Sequence, residues 1–144
     1  MRPLYESSDD LEREAELASM VEPVWKCKFR KIPIQYRLDY ALERDGLIKA
    51  FCEIKIRKYS MEKIDAMGGY KLSLAKWMSG KRLSKDTGLP FVILVGTTDG
   101  VWHWNNRAVP LLPLAISMWG RGDRNDPQDY EPCIVIPTSE FKRV

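Results

Sequence analysis

Residues 32–57, IPIQYRLDYALERDGLIKAFCEIKIR, are the stretch from which the rest of the chain can be read. The segment 32–42 alternates and is rich in β-formers, Glu43-Arg44-Asp45-Gly46 supplies a turn, and 47–57 reads as the returning strand. Successive side chains of a strand point to opposite faces. In the first strand Ile32, Ile34, Tyr36, Leu38 and Tyr40 share one face, and Gln35, Arg37 and Asp39 the other. In the second, Cys52, Ile54 and Ile56 oppose Glu53, Lys55 and Arg57. Antiparallel pairing then brings Asp39 near Glu53, provided the register is right. A two-residue turn at Asp45-Gly46 pairs Asp39 with Cys52 and sends it to the wrong face. A three-residue loop, Arg44-Asp45-Gly46 with Gly46 left-handed and a bulge, pairs Asp39 with Phe51 and sets Glu53 diagonally beside it. Convergence of the two carboxylates therefore requires a bulge or bend.

Two carboxylates and a lysine on one sheet face are costly unless something compensates them. A hard divalent cation such as Mg²⁺ takes oxygen ligands and relieves the repulsion. Lys55 beside it could orient or help deprotonate a water, or neutralise a phosphate; this is equipment for phosphodiester hydrolysis. The same residues also suit an exposed sheet face laced with cross-strand salt bridges, and the pattern alone leaves both open.

Upstream, Ser7, Ser8, Asp9 and Asp10 offer caps for a helix running to about Trp25, with Leu11, Ala15, Leu17, Ala18, Val21 and Val24 at helical spacing. Of its neighbouring acids, Glu14 shares the inward face with Leu17, Ala18 and Val21, while Glu12 and Glu16 fall nearer the polar side. Downstream, residues 60–86 read as helical in two parts, interrupted at Gly68-Gly69. PFVILVGTT from Pro90 reads as a buried central strand, turned by Asp99-Gly100 into VWHWN; CIVIP at 133–137 is a short last strand. Helix, strands, helix, strands is the order of an α/β domain on a mixed sheet. His103 reads as a hairpin surface residue, and Trp102 and Trp104 as packing residues or as a platform for unpaired bases. Residues 120–132 form a polar loop with Arg121 and Arg124, and no P-loop or dinucleotide fingerprint is present.

At 144 residues, with 44% hydrophobic and 30% charged residues, the expectation is one soluble domain, 1–144. No apolar run approaches the roughly 18 residues of a membrane span, and the acidic 6–16 excludes a signal peptide. Cys27, Cys52 and Cys133 are odd in number and widely spaced, which argues for reduced thiols and a cytoplasmic location. The net charge of +3 conceals an asymmetry. Residues 26–85 hold sixteen Lys and Arg against six acids, which suggests a polyanionic partner.

Asp39, then Glu53-Ile54-Lys55 a hairpin later, with an acidic helix before and a basic helix after, resemble the PD-(D/E)XK nuclease superfamily. The likeness is to its small members: Holliday-junction resolvases, VRR-type nucleases and short phage nucleases. It covers about residues 9–105, leaving 106–144 as an extension; Leu38 stands where the superfamily's proline is usual. The resemblance implies a restriction-endonuclease-like core of helix, β-meander, helix and β-hairpin. It implies that Asp39, Glu53 and the Ile54 carbonyl bind Mg²⁺ (Mn²⁺ substituting), with Glu14 from the first helix, and that Lys55 positions the attacking water. It further implies DNA, duplex or branched, as partner, contacted by Arg57, Lys58, Tyr70, Lys71, Ser73 and Lys76. A homodimer and no organic cofactor are expected. The activity expected is a metal-dependent DNA endonuclease directed by structure rather than sequence, phage-encoded; the alternative is a non-catalytic DNA-binding or assembly protein that keeps the fold.

Overall fold

The computed structural model describes residues 8–33, 38–107, 114–120 and 130–144. The element order is α1 (Ser8–Trp25), β1 (Lys28–Lys31), β2 (Tyr40–Arg44), β3 (Leu47–Ile56), α2 (Met61–Ala66), β4 (Tyr70–Ser73), α3 (Leu74–Thr87), β5 (Phe91–Thr97), β6 (Gly100–Asn105), β7 (Ala115–Trp119), β8 (Glu131–Ile136), a 3₁₀ turn (Thr138–Glu140) and β9 (Lys142–Arg143). Six strands form one sheet in the order β1-β2-β3-β5-β6-β9, and three form a second, β4-β8-β7. Only β3 and β5 pair in parallel, which makes the large sheet mixed. The α/β fold class expected from the sequence is the one observed.

The hairpin that decides the site differs in detail from its reading. Arg44 pairs with Leu47, so the turn has two residues, Asp45 (φ 53°) and Gly46 (φ 78°), both left-handed as a tight hairpin turn requires. The bulge lies beyond it: the register shifts between Leu42 and Glu43, leaving Lys49 as the extra residue, and Tyr40 then pairs with Cys52. One step further along this register, Asp39 lies opposite Glu53. The two-residue turn that seemed to forbid convergence is present, and a bulge in β3 restores it.

The continuous strand over 32–42 does not form. β1 ends at Lys31, β2 begins at Tyr40, and residues 34–37 lie outside the described residues. Pro33 lacks the N–H that a central strand would need. The face sharing expected of Leu38 and Tyr40 breaks too: they pack in different core clusters.

β3 divides the interior. Cys52 and Ile54 join Leu17, Ala18 and Val21 of α1 with Tyr40, Leu42, Val92 and Leu94. Across the sheet, Phe91, Ile93, Val95 and Trp104 pack on Tyr70 and Leu72 of β4 and on Ile134 and Ile136 of β8. Glu53 points to this second side and is fully buried. α3 presses close against it, because Gly80 leaves room for the Phe91 ring; a Cβ there would lie 2.6 Å from ring carbons.

Other departures have their own causes. Residues 70–73, expected to be helical, form β4; Gly68 and Gly69 hold φ of 97° and 120°, and the burial of Tyr70 and Leu72 alternates with period two. β4 is held by β8, more than sixty residues away, which no local periodicity reveals. The 106–144 extension supplies β7 and β8 to the small sheet and β9 to an edge of the large one. The polar-loop residues 121–129, with Arg121 and Arg124, lie outside the described residues. Trp104 is 2% exposed and packed on Trp77 and Phe91, so it serves the core and not an open stacking platform. No helix among the described residues is long and apolar enough to cross a membrane.

Candidate active site

The site forms where β2 starts, at the C-terminal half of β3. Asp39 precedes β2 and is 9% exposed. Its Oδ2 accepts a hydrogen bond from the Ile54 N–H at 2.8 Å, and its own carbonyl accepts one from Ile32 N–H at 2.8 Å. A side chain thus takes the N–H that a regular ladder would give to a main-chain carbonyl, and Asp39 is locked to the strand that carries Glu53. The Glu53 carboxylate has Oε1 3.3 Å from Lys55 Nζ and hydrogen-bonded to Lys76 Nζ of α3. Its Oε2 is buried and has no hydrogen-bond partner among the described residues. On the other side of Asp39, Lys31 Nζ lies 3.7 Å from Asp39 Oδ1 and 3.8 Å from Glu14 Oε2. Glu14 is mostly shielded while Glu12 and Glu16 are exposed.

A family model described as "Phage putative PDDEXK endonuclease" matches residues 1–144. The chain belongs to this family. No curated protein matches its sequence. Among solved structures, it resembles a Holliday junction resolvase of Archaeoglobus fulgidus with a TM-score of 0.55. The two are 8% identical over 92% of this chain and 90% of that one. At such identity the likeness speaks for the fold alone, while the family model extends over the last forty residues, for which the sequence offered no counterpart.

Within this PD-(D/E)XK fold the electrostatics follow from burial. Burial pushes the Glu53 carboxyl above its usual value; the Lys55 and Lys76 ammoniums pull against that rise, and the Asp39 charge adds to it. For Lys55, burial acts downward, but the charges of Glu53 and Asp39 outweigh it and the net shift is upward. The two partners thus disagree about their shared ion pair, and solvent explains why. Glu53 has lost all its water, whereas the Lys55 side chain keeps 32% of its exposure, so the desolvation cost falls on the carboxylate. Cys52, on the opposite face of the strand, has its thiol raised by burial and is no nucleophile.

Among the described residues no three His, Cys, Asp or Glu side chains stand close enough to hold a metal ion. The donor chemistry nevertheless fits a hard divalent cation: Asp39, Glu53 and the Ile54 carbonyl offer only oxygen, and one Glu53 oxygen is buried without a partner.

The residues expected on DNA divide. Lys76 is drawn into the site on Glu53 instead of standing on a solvated helix face. Ser73 ends β4, so it does not share a helix face with Lys76, and its Oγ lies 3.3 Å from Glu131 Oε2. Lys71 Nζ donates to the carbonyls of Met67 at 2.7 Å and Gly69 at 3.3 Å. Tyr70 is 2% exposed, Arg57 is half-buried above its ring, and Lys58 is exposed. Lys31 was missed altogether. Its signal was faint: in KFRK it is one of three basic residues, and only its pairing with Tyr40 sets it beside Asp39.

Proposed function

We propose that the protein is a Mg²⁺-dependent DNA endonuclease that is directed by DNA shape rather than sequence, works as a homodimer, and accepts Mn²⁺ in place of Mg²⁺. The observation that carries this reading is the Glu53 carboxylate. It is completely buried, has one oxygen without a partner among the described residues, lies beside Asp39 at the start of the neighbouring strand, and has a lysine two residues on along the same face.

Asp39, Glu53 and the carbonyl of Ile54 would hold the cation, with Glu14 contributing from α1. When bound, the cation activates water and offsets negative charge on the phosphoryl group. Lys55, a third exposed, keeps its ammonium at neutral pH and orients the attacking water by hydrogen bonding. Asp39 holds its orientation through the Ile54 N–H, so the carboxylates do not reorganise as substrate arrives. Lys31 and Lys76 neutralise the carboxylates in the free protein and can turn toward phosphate when substrate is bound.

The test is cleavage of supercoiled, linear duplex, single-stranded and four-way-junction DNA with Mg²⁺ or Mn²⁺, comparing the protein with Lys55→Ala. Metal-dependent cutting that falls by about 10²–10⁴-fold in the variant is the expected result. One observation favours a second reading, a DNA-binding or assembly protein without activity: three ammoniums already balance the carboxylates. Metal-indifferent DNA binding with no cutting of any substrate would establish that alternative.

A further inference from the structure

The polar face of β3 does not stop at Lys55. Arg57 follows two residues on, about 6.6 Å further at the usual rise of a strand, and lines a small pocket of about 50 Å³ open to solvent. Arg57, Tyr59, Met67, Tyr70, Lys71 and Trp119 line it. Its composition is an interleaving of cations and aromatic rings: the Arg57 guanidinium lies 5.8 Å from the Tyr70 ring centroid, and Lys71 Nζ lies 4.3 Å from that of Trp119. Trp119 remains 45% exposed. Lys71 is anchored by the Met67 and Gly69 carbonyls, so its part is to hold the indole in place, whereas the Arg57 guanidinium donates, among the described residues, only a 3.4 Å bond from Nη1 to the neighbouring Ile56 carbonyl and is the cation better placed to meet an anion.

A second, independent feature points to a ligand. Tyr70 is 2% exposed, and its hydroxyl has no hydrogen-bond partner among the described residues. A buried hydroxyl with nothing to donate to is rare in a well-packed interior. For a hydroxyl beside ring faces, cations and the apolar Ile64 and Met67, the missing partner is an acceptor, as a base carbonyl or a phosphate oxygen would be.

We infer that one unpaired nucleotide of the substrate strand docks at the mouth of this pocket, its base against the exposed Trp119 and its phosphate toward Arg57. Base faces are hidden in a duplex and open only where pairing is broken, which is why aromatic pockets select single-stranded nucleotides. At about 50 Å³ the cavity itself is smaller than a base, so a base would lie across its mouth against the exposed indole and not inside it. The pocket continues the strand face that carries Lys55, so the unpaired nucleotide sits next to the phosphate being cut. This rests on the nuclease reading and narrows it: the substrate is DNA with a broken pair at the cleavage point.

The experiment measures binding of the whole protein, in EDTA so that nothing is cut, to a duplex carrying one unpaired 2-aminopurine beside a nick, and to the fully paired duplex. Tighter binding of the first, with quenching of 2-aminopurine on stacking, is the expected result. Trp119→Ala, at an exposed position, should weaken that complex about 5- to 100-fold, leave the paired duplex within twofold and abolish quenching, while Trp119→Phe restores it. Equal affinity for both DNAs, absent quenching, or equal weakening of both complexes by Trp119→Ala would overturn the inference. The two readings fail separately. Selective quenching in a protein that cuts nothing leaves the pocket standing and removes the nuclease. Metal-dependent cutting without selectivity does the reverse.

Discussion

Replacing Glu53 by glutamine removes a charge while preserving shape, and the structure says what that does to stability. At neutral pH the ionised carboxylate sits in a site with no water, where burial outweighs the attraction of Lys55 and Lys76. Each unit by which its folded pKa exceeds the unfolded value near 4.3 costs about 1.4 kcal/mol at pH 7. Against this stands the loss of two ion-pair contacts. Breaking a fully buried pair costs about 3–5 kcal/mol, but Lys55 and Lys76 retain 32% and 28% of their side-chain exposure and can turn to water. The balance favours the glutamine: Glu53→Gln should be as stable as the parent or up to about 1 kcal/mol more stable at pH 7, raising Tm by about 2–4 °C for a chain of this size. The sign with pH is fixed. Because the folded pKa is the higher, the folded state takes up the proton first on acidification, so the penalty is fully present above the folded pKa and fades as pH falls toward 4.3. Urea unfolding of both proteins at pH 7.5 and pH 5 measures the difference at each. A loss of 3 kcal/mol or more at pH 7.5, or a difference that ignores pH, would show that the ion pairs and not burial govern this residue. Cleavage should be lost in either case.

Three further outcomes follow from the geometry. Asp39→Ala strips the Ile54 N–H of its acceptor and should cost about 1–3 kcal/mol in urea melts, whereas Asp39→Asn keeps the acceptor and should cost less than half as much; neither variant should cut DNA. Gly80→Ala drives a Cβ into the Phe91 ring and should destabilise by about 1–3 kcal/mol in the same assay, with α3 and Lys76 displaced and cutting reduced. His103 is depressed by its partial burial and by Lys142, so its contribution is complete above about pH 6.5 and declines as pH falls through its folded value. His103→Gln should flatten that part of the stability–pH curve, with Trp25, the ring beside it, as the fluorescence probe.

The alternation of Phe51 through Arg57 was legible because a strand's two-residue period is local, and so was the continuous apolar run that became β5. The inward side of α1, and Glu14 on it, followed from a period of 3.6 for the same reason. The bulge at Lys49 was legible only as a necessity: two carboxylates of mismatched parity needed one, but nothing in LIKAF marks the place. The misreadings at 32–42 and 70–73 arose differently. Both segments have sequence patterns that tolerate two conformations: Pro33 interrupts the first, and a partner far along the chain decides the second, as Ile136 does for Tyr70. The ring of lysines lay beyond the sequence for a related reason. Lys31, Lys55 and Lys76 come from two strands and a helix, and a charge count cannot tell an ammonium that guards a carboxylate from one that faces solvent.

The small sheet carries a consequence for how the molecule is made. Its central strand, β8, is drawn from residues 131–136, yet it pins β4, from which α3 and Lys76 depart. Contacts of such long sequence separation form slowly, since the intervening loop must close before they reward it. A chain leaving the ribosome therefore passes through a stage in which the meander and α1 exist while β4 is a bare edge, Tyr70 and Leu72 uncovered. During that interval Glu53 lacks its lid of helix and the pocket beside Arg57 and Tyr70 lacks its tryptophan, so both features mature together, when the final strands dock.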